Sequence, residues 1–330
     1  MGTRPVGART ARDANATERS IAHNPRSHVA ISYLNGRDDS VAETAKLLYS
    51  VLKLRIGFAI TLSALAGLAM TPGPKPGYWQ MLAFAMSVLI ASGAAGAFNH
   101  YVERGLDARM ARTRRRPFVT GRFRSGGIWP AAIGSLLFIA VAVAAVAANA
   151  IAALYVFLGA FVYGVVYTLW LKRRTWLNIV IGGLAGSFAV LAGAAAVDPG
   201  LAPTPLILAI VLFLWTPPHF WSLAIVYRSD YAAAGVPMLP VVAGASRAAR
   251  AVLAHTLLLV ALSLVPVFLG MGLTYGIGAA GGGAFFIRAS VRLARRPSRD
   301  AAMANFRASL VQLSVLLTAA LLDRLLAGGS

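Results

Sequence analysis

The sequence predicts an all-α polytopic membrane protein with about nine transmembrane helices. Three observations lead to that class. Of 330 residues, 58% are hydrophobic and only 13% are charged, whereas a soluble domain carries about 25% charged residues. Apolar runs of about 20 residues, the length that crosses a hydrocarbon core as a helix, recur along the chain. The cationic residues collect in every second connection between those runs and leave the others nearly bare, which is the positive-inside pattern of a multi-pass protein.

The elements follow in order. Residues 1–45 are polar, rich in arginine and without apolar periodicity, the composition of a disordered cytoplasmic tail. Residues 46–330 are the membrane domain. No short apolar core follows the first basic residues, so the start does not read as a cleaved signal peptide. Asp13 and Glu18 argue against a mitochondrial presequence. Spans are expected at 56–72, 78–100, 127–147, 150–170, 177–197, 204–226, 249–269, 273–288 and 306–326. The run from Gly126 to Trp170 is too long for one helix, and Asn149 marks its turn. The run from Val252 to Ile287 divides at Gly270–Gly272. The eighth span, rich in glycine between Gly276 and Gly283, has the weakest apolar signal.

Charge supports this count. Lys and Arg number nine in 1–55, eight in 102–125, three in 171–176, three in 227–250 and five in 288–299, and the bare connections hold only Lys75. The basic loops and the N-terminus are therefore expected in the cytoplasm. Merging either divided run would put a basic loop outside. The net charge of +20 is then mainly a topology signal, and no nucleic-acid partner is expected. The chain has no cysteine, which excludes disulfides, thiolate metal sites and a Cys nucleophile.

Only 11 residues are acidic, so their placement is informative. Asn99, Glu103 and Asp107 recur every four residues at the end of the second span. On a helix this puts three oxygen ligands along one face, drifting by about 40° per step. Eight Lys/Arg lie between Arg104 and Arg124. Oxygen donors for a hard cation beside dense positive charge point to a polyanion held through Mg²⁺. The simpler reading is that Glu103 and Asp107 offset arginines at a solvated helix end. Asp230 lies after the sixth span. Within that span, Pro217-Pro218 removes two amide donors and predicts irregular backbone at membrane depth. His219 follows among Trp215, Phe220 and Trp221, either as a functional histidine or as one hydrogen-bonded in an aromatic layer. Lys172 and Arg173 close the fourth span on the side of the acids, where Arg offers a bidentate contact and Lys a point charge.

Together these segments resemble the UbiA-type intramembrane prenyltransferases, and within them the branch that farnesylates heme. That branch carries N-x-x-x-D-x-x-x-D followed by A-R-M-x-R-T-x-x-R-P, then Y-T-x-x-L-K-R-x-T-x-x-N, W-T-P-P-H-F-W and D-D-Y-x-x-A-G-x-P-M-L-P. This chain has Asn99, Glu103 and Asp107 before Ala108–Pro117, then Tyr167–Asn178, Trp215–Trp221 and Ser229–Pro240. The match runs from about Lys53 to Arg324. Glu103 stands where most members have Asp, and keeps the carboxylate. Ser229 replaces the first Asp of the D-D-Y pair, so Asp230 is the only acid of the second loop.

The resemblance implies a UbiA-type helical bundle and transfer of the farnesyl group of farnesyl diphosphate to a vinyl group of heme B, giving heme O. It implies Mg²⁺ on Asn99, Glu103, Asp107 and Asp230. Substrate contacts are implied from Lys53, Arg55, Arg112, Arg114, Arg116, Lys172, Arg173, Asn178 and Tyr231, and a role on iron or as a base for His219. It implies a bacterial inner membrane with the site at the cytoplasmic face, and contact with a downstream heme A synthase or terminal oxidase assembly. A UbiA-type enzyme acting on a quinone or other aromatic precursor would carry the same metal site. A transporter with a cytoplasmic anion gate is a third reading, although transporters place ionisable groups nearer the midplane.

Overall fold

The structure is a computed structural model that describes Gly2 and residues 41–328. The disordered tail expected at 1–45 therefore lies, except for Gly2 and 41–45, outside the described residues. Residues 41–45 open a helix, α1 (Val41–Val51). A bend of 52° separates it from α2 (Leu54–Met70). Next come α3 (Tyr78–Val102), the short α4 (Arg104–Asp107) and α5 (Ile128–Ala147). Helix α6 (Ala150–Phe161) runs on into a π-helical stretch, Val162–Leu171. Short α7 (Asn178–Gly182) leads into α8 (Leu184–Ala195), followed by α9 (Pro203–Val226). Two short helices, α10 (Arg228–Ala233) and α11 (Leu239–Val242), precede α12 (Ala245–Phe268), α13 (Leu273–Arg295) and α14 (Arg299–Gly328). The described residues contain no strand.

Every span read from the sequence coincides with helix. Seven helices, or eight counting the bent α1–α2 pair as one, are long and apolar enough to cross a membrane. Helix α13 has the length, but its glycines and three arginines keep it out of that group, so nine is an approximate count. The turn at Asn149 forms as expected. Its side chain accepts from Ala152 N at 2.9 Å and donates to the carbonyl of Ala195 at 2.6 Å, capping α6 and tying it to α8.

The long helices form a ring. Along α2, α3, α5, α6, α8, α9, α12, α13 and α14, each packs on its successor, and α14 returns onto α2. Small residues permit the closest crossing: a Cβ on Gly193 of α8 would lie 1.8 Å from the carbonyl oxygen of Ala64 on α2. In lipid the hydrophobic effect does not press helices together, so close van der Waals contact and interhelical hydrogen bonds must. Both are present. A buried chain of hydrogen bonds runs from the Pro218 carbonyl through Ser222, Asn305 and Ser290 to Thr256, joining α9, α14, α13 and α12. The outer faces stay apolar, with Phe138 of α5 and Phe157 of α6 exposed for acyl chains.

One expectation fails in α9. The helix runs unbroken through Pro217 and Pro218. The Thr216 hydroxyl bonds back to the Leu212 carbonyl at 3.1 Å, and Ser222 to that of Pro218 at 2.6 Å. Side-chain hydroxyls around the prolines thus engage backbone carbonyls without a break in the helix.

Candidate active site

The candidate site forms where α3 ends, the α1–α2 bend turns inward and the π-helical stretch stops. Asn99, Glu103 and Asp107 are 2%, 3% and 1% exposed, which rules out the solvated helix end of the simpler reading. They do not share one unbroken helix, since α3 stops at Val102 and α4 begins at Arg104. The i→i+4 bonds Glu103 N to Asn99 O and Asp107 N to Glu103 O nevertheless survive, at 3.0 and 2.8 Å, and keep the three in line.

Each polar group is held by a cation or a hydroxyl from another segment. Lys172 Nζ lies 2.5 Å from Glu103 Oε1 and 2.6 Å from Oε2. Arg116 donates to Asp107 Oδ2 at 2.6 Å. Lys53 donates to Asn99 Oδ1 at 2.6 Å and to the Tyr163 hydroxyl at 2.9 Å. The Asn99 amide donates to Glu103 Oε2 and to Thr168 Oγ1 at 2.8 and 3.1 Å. Asp107 Oδ1 and His100 Nδ1 are among the buried atoms without a partner in the described residues. Burial lowers the pKa of Lys172, against the opposite pull of the Glu103 carboxylate.

Two irregularities of backbone build this cluster. Lys53 has φ 50° and ψ 41°, a left-handed conformation that costs a side-chain-bearing residue about 1–3 kcal/mol. It breaks α1 from α2 and aims Lys53 at Asn99. Gly96 lets α3 meet that bend, since a Cβ there would lie 3.1 Å from the Leu52 carbonyl. In the π-helical stretch, i→i+5 bonding aligns residues four to five apart. Tyr163, Thr168 and Lys172 thereby face the same cluster, one each on Lys53, Asn99 and Glu103. Sequence reasoning missed Tyr163, Thr168 and His100. Their one signal was polarity in an apolar run beside the acids.

The other expected residues divide. Asn178 is fully buried and donates to the carbonyls of Thr175 and Lys172 at 2.7 and 3.3 Å, so it holds the turn that carries Lys172. Tyr231 is buried near Arg112, whose guanidinium sits over Tyr227. Burial raises the Tyr231 pKa despite that guanidinium. Leu106 and Met110 share a core with Tyr231, Val236 and Met238, so the two loops pack together. The carboxylate of Asp230 has no hydrogen bond or ion pair among the described residues, and it does not join Glu103 and Asp107 in a three-acid metal cluster. Arg55, Arg114 and Arg173 are exposed. His219 is buried in an aromatic stack with Trp215 and Phe306, at ring distances of 4.2 and 4.5 Å.

An apolar cleft of about 130 Å³ opens from this cluster. Lys53 and Tyr163 stand in its wall, and Ile56, Val88, Ala91, Val156, Ala189 and Phe220 line it further along. Lys53 therefore belongs to both the charged cluster and the cleft. The donor set suits a hard cation: two carboxylates and an amide oxygen, with one carboxylate oxygen buried and unpartnered.

The pattern of the UbiA prenyltransferase family matches residues 60–311. Protoheme IX farnesyltransferase 2 of Paramagnetospirillum magneticum is 60% identical over 86% of this chain and 98% of that protein. Protoheme IX farnesyltransferase 1 of the same organism is 47% identical over 83% and 96%. Among solved structures, a digeranylgeranylglyceryl phosphate synthase superposes with a TM-score of 0.71 over 86% of this chain and 99% of its own, at 17% identity. A UbiA homolog from Archaeoglobus fulgidus bound to DMAPP and Mg²⁺ gives 0.62 over 82% and 98%, at 14% identity. At such identities these two structures speak for the fold alone. The chain belongs to the UbiA prenyltransferase family.

Proposed function

We propose that this chain transfers the farnesyl group of farnesyl diphosphate to a vinyl group of heme B, giving heme O and diphosphate. The observation that carries the donor half is the continuity of the charged cluster with the apolar cleft through Lys53. A substrate with an anionic head and a long apolar tail fits that junction. Heme as acceptor rests on the 60% identity with a protoheme IX farnesyltransferase over nearly its whole length.

The residues divide the work. Lys53, Lys172 and Arg116 are three cations against the two carboxylates Glu103 and Asp107, so the cluster has positive charge to spare for a diphosphate. Asn99, Glu103 and Asp107 would hold Mg²⁺, with Asp107 Oδ1 already free, and Asp230 would approach from the second loop. A metal held by these residues would neutralise charge that develops on the leaving diphosphate. Lys172 and Arg116, released from the carboxylates, would add preorganised positive charge. The cleft residues would hold the isoprenoid and keep water from the allylic cation until the vinyl carbon attacks; water then adds to the cation left beside the porphyrin, supplying the hydroxyl of heme O and giving up a proton. The charge pattern of the loops supports a cytoplasmic N-terminus and a site at the cytoplasmic face of a bacterial inner membrane. Contact with a heme A synthase or terminal oxidase assembly would let the apolar product pass on within the bilayer.

The test is acceptor choice. Purified chain with Mg²⁺ and farnesyl diphosphate should prenylate heme B and leave 4-hydroxybenzoate unchanged, read by product mass. Prenylation of the aromatic acid alone would move the chain to the quinone-precursor branch of its family.

A further inference from the structure

The aromatic stack around His219 contains a hydrogen-bond arrangement that determines which ring nitrogen carries the proton. Ser309 Oγ lies 2.7 Å from His219 Nδ1 and 2.7 Å from the carbonyl oxygen of Phe306. A carbonyl has no proton to give, and a hydroxyl has one. If Ser309 gave its proton to the imidazole, two oxygens would face each other at 2.7 Å with none between them. A proton in both short contacts requires Ser309 to donate to Phe306 and His219 Nδ1–H to donate to Ser309. Nε2 is then a bare lone pair. Among the described residues it has no hydrogen-bond partner, and it is not one of the fully enclosed unpartnered atoms, so its lone pair keeps some accessible surface.

The ring cannot turn away. Trp215 stacks on it at 4.2 Å with an interplanar angle of 19°, and Phe306 at 4.5 Å and 30°. Phe220 meets it edge-on at 5.0 Å and itself lines the apolar cleft. Trp215 Nε1 donates to the Ser309 carbonyl at 2.9 Å, fixing the serine to the same stack. Among the described residues no carboxylate pairs with the ring. A general base would gain a charge here with nothing to balance it, whereas a metal ligand stays neutral. One nitrogen donating to an oxygen while the other lone pair stays open is the arrangement of a metal-ligating histidine oriented by a neighbour.

We infer that Ser309 is a positioning residue that holds His219 in its Nδ1–H form, so that Nε2 ligates the iron of the heme substrate beside the cleft. This rests on the proposed function, since it takes the acceptor to be heme. Thr and Val have nearly the same shape, so S309T and S309V differ chiefly in the hydroxyl. Each full-length variant, carried on a histidine-free tag in nanodiscs, is titrated with ferric heme B and followed by absorption and electron paramagnetic resonance.

Wild type, S309T and the control H255A should show histidine-ligated iron. H219A should lose that signature, and S309V should weaken heme binding by about 10–100-fold. A ligation signature that survives H219A, or S309V indistinguishable from S309T, overturns the inference. S309A serves in the same comparison if S309V does not fold. Heme O formation by wild type is measured in parallel. Wild type that makes heme O while H219A keeps the iron signature would leave the function standing and remove this inference. Wild type that neither binds heme B nor forms heme O would remove both.

Discussion

At the scale of single residues, the site is a set of mutual neutralisations in a buried setting. Glu103 and Lys172 are both buried, with N–O distances of 2.5 and 2.6 Å. Removing one partner leaves the other's charge uncompensated, a loss of about 3–5 kcal/mol. Lys172→Met should therefore lower the unfolding midpoint in detergent, and adding Glu103→Gln should restore most of it. Activity should behave otherwise, because the double variant would lack both a proposed metal ligand and a proposed diphosphate contact. Heme O formation should fall at least about 100-fold in each single variant and stay down in the double, consistent with the loss of preorganised charge. Recovery of activity together with stability would show that the pair is structural. The acids were legible in the sequence because carboxylates are scarce here and fall at a four-residue spacing. Thr168 and Tyr163 were not, because their contacts depend on a π register that side-chain polarity does not encode.

At the scale of elements, two irregular segments aim the side chains. The π-helical stretch Val162–Leu171, closed by the bond from Lys172 N to Tyr167 O, places Tyr163, Thr168 and Lys172 on one face. Deleting Val165 should let the stretch relax to α-helix and rotate Lys172 away from Glu103. The variant should still insert into membranes and lose heme O formation, as checked by membrane fractionation and product mass. Undiminished activity would mean that the π register does not matter. The α2–α8 crossing makes a separate stability prediction. Gly193→Leu should destabilise by several kcal/mol, beyond the ~1–3 kcal/mol of ordinary overpacking, because backbone would have to move. Hydropathy located every long helix, since a span has no other way to satisfy its backbone. It did not reveal the bend at Lys53, which lies where polar and apolar character change together. Nor did it show that α9 passes through Pro217-Pro218 unbroken.

At the scale of the whole molecule, a ring of helices brings a charged cluster to one end of an apolar cleft. The absence of native cysteine makes orientation directly measurable. Single cysteines at Arg114 and Arg173 should react with an impermeant maleimide only in inverted vesicles, and one at Gly73 only in right-side-out cells. The opposite pattern would reverse the topology read from the basic loops. The central claim joins this architecture to chemistry: the Asn99, Glu103 and Asp107 cluster holds the donor diphosphate through Mg²⁺ while heme B accepts the prenyl group. The most direct measurement is the mass of the porphyrin product when purified chain receives heme B and farnesyl diphosphate, with Mg²⁺ or with a chelator, for wild type and for Glu103→Gln with Asp107→Asn. Heme O should appear only for wild type with Mg²⁺. Equal heme O from the double variant, or from wild type without divalent metal, would contradict the account.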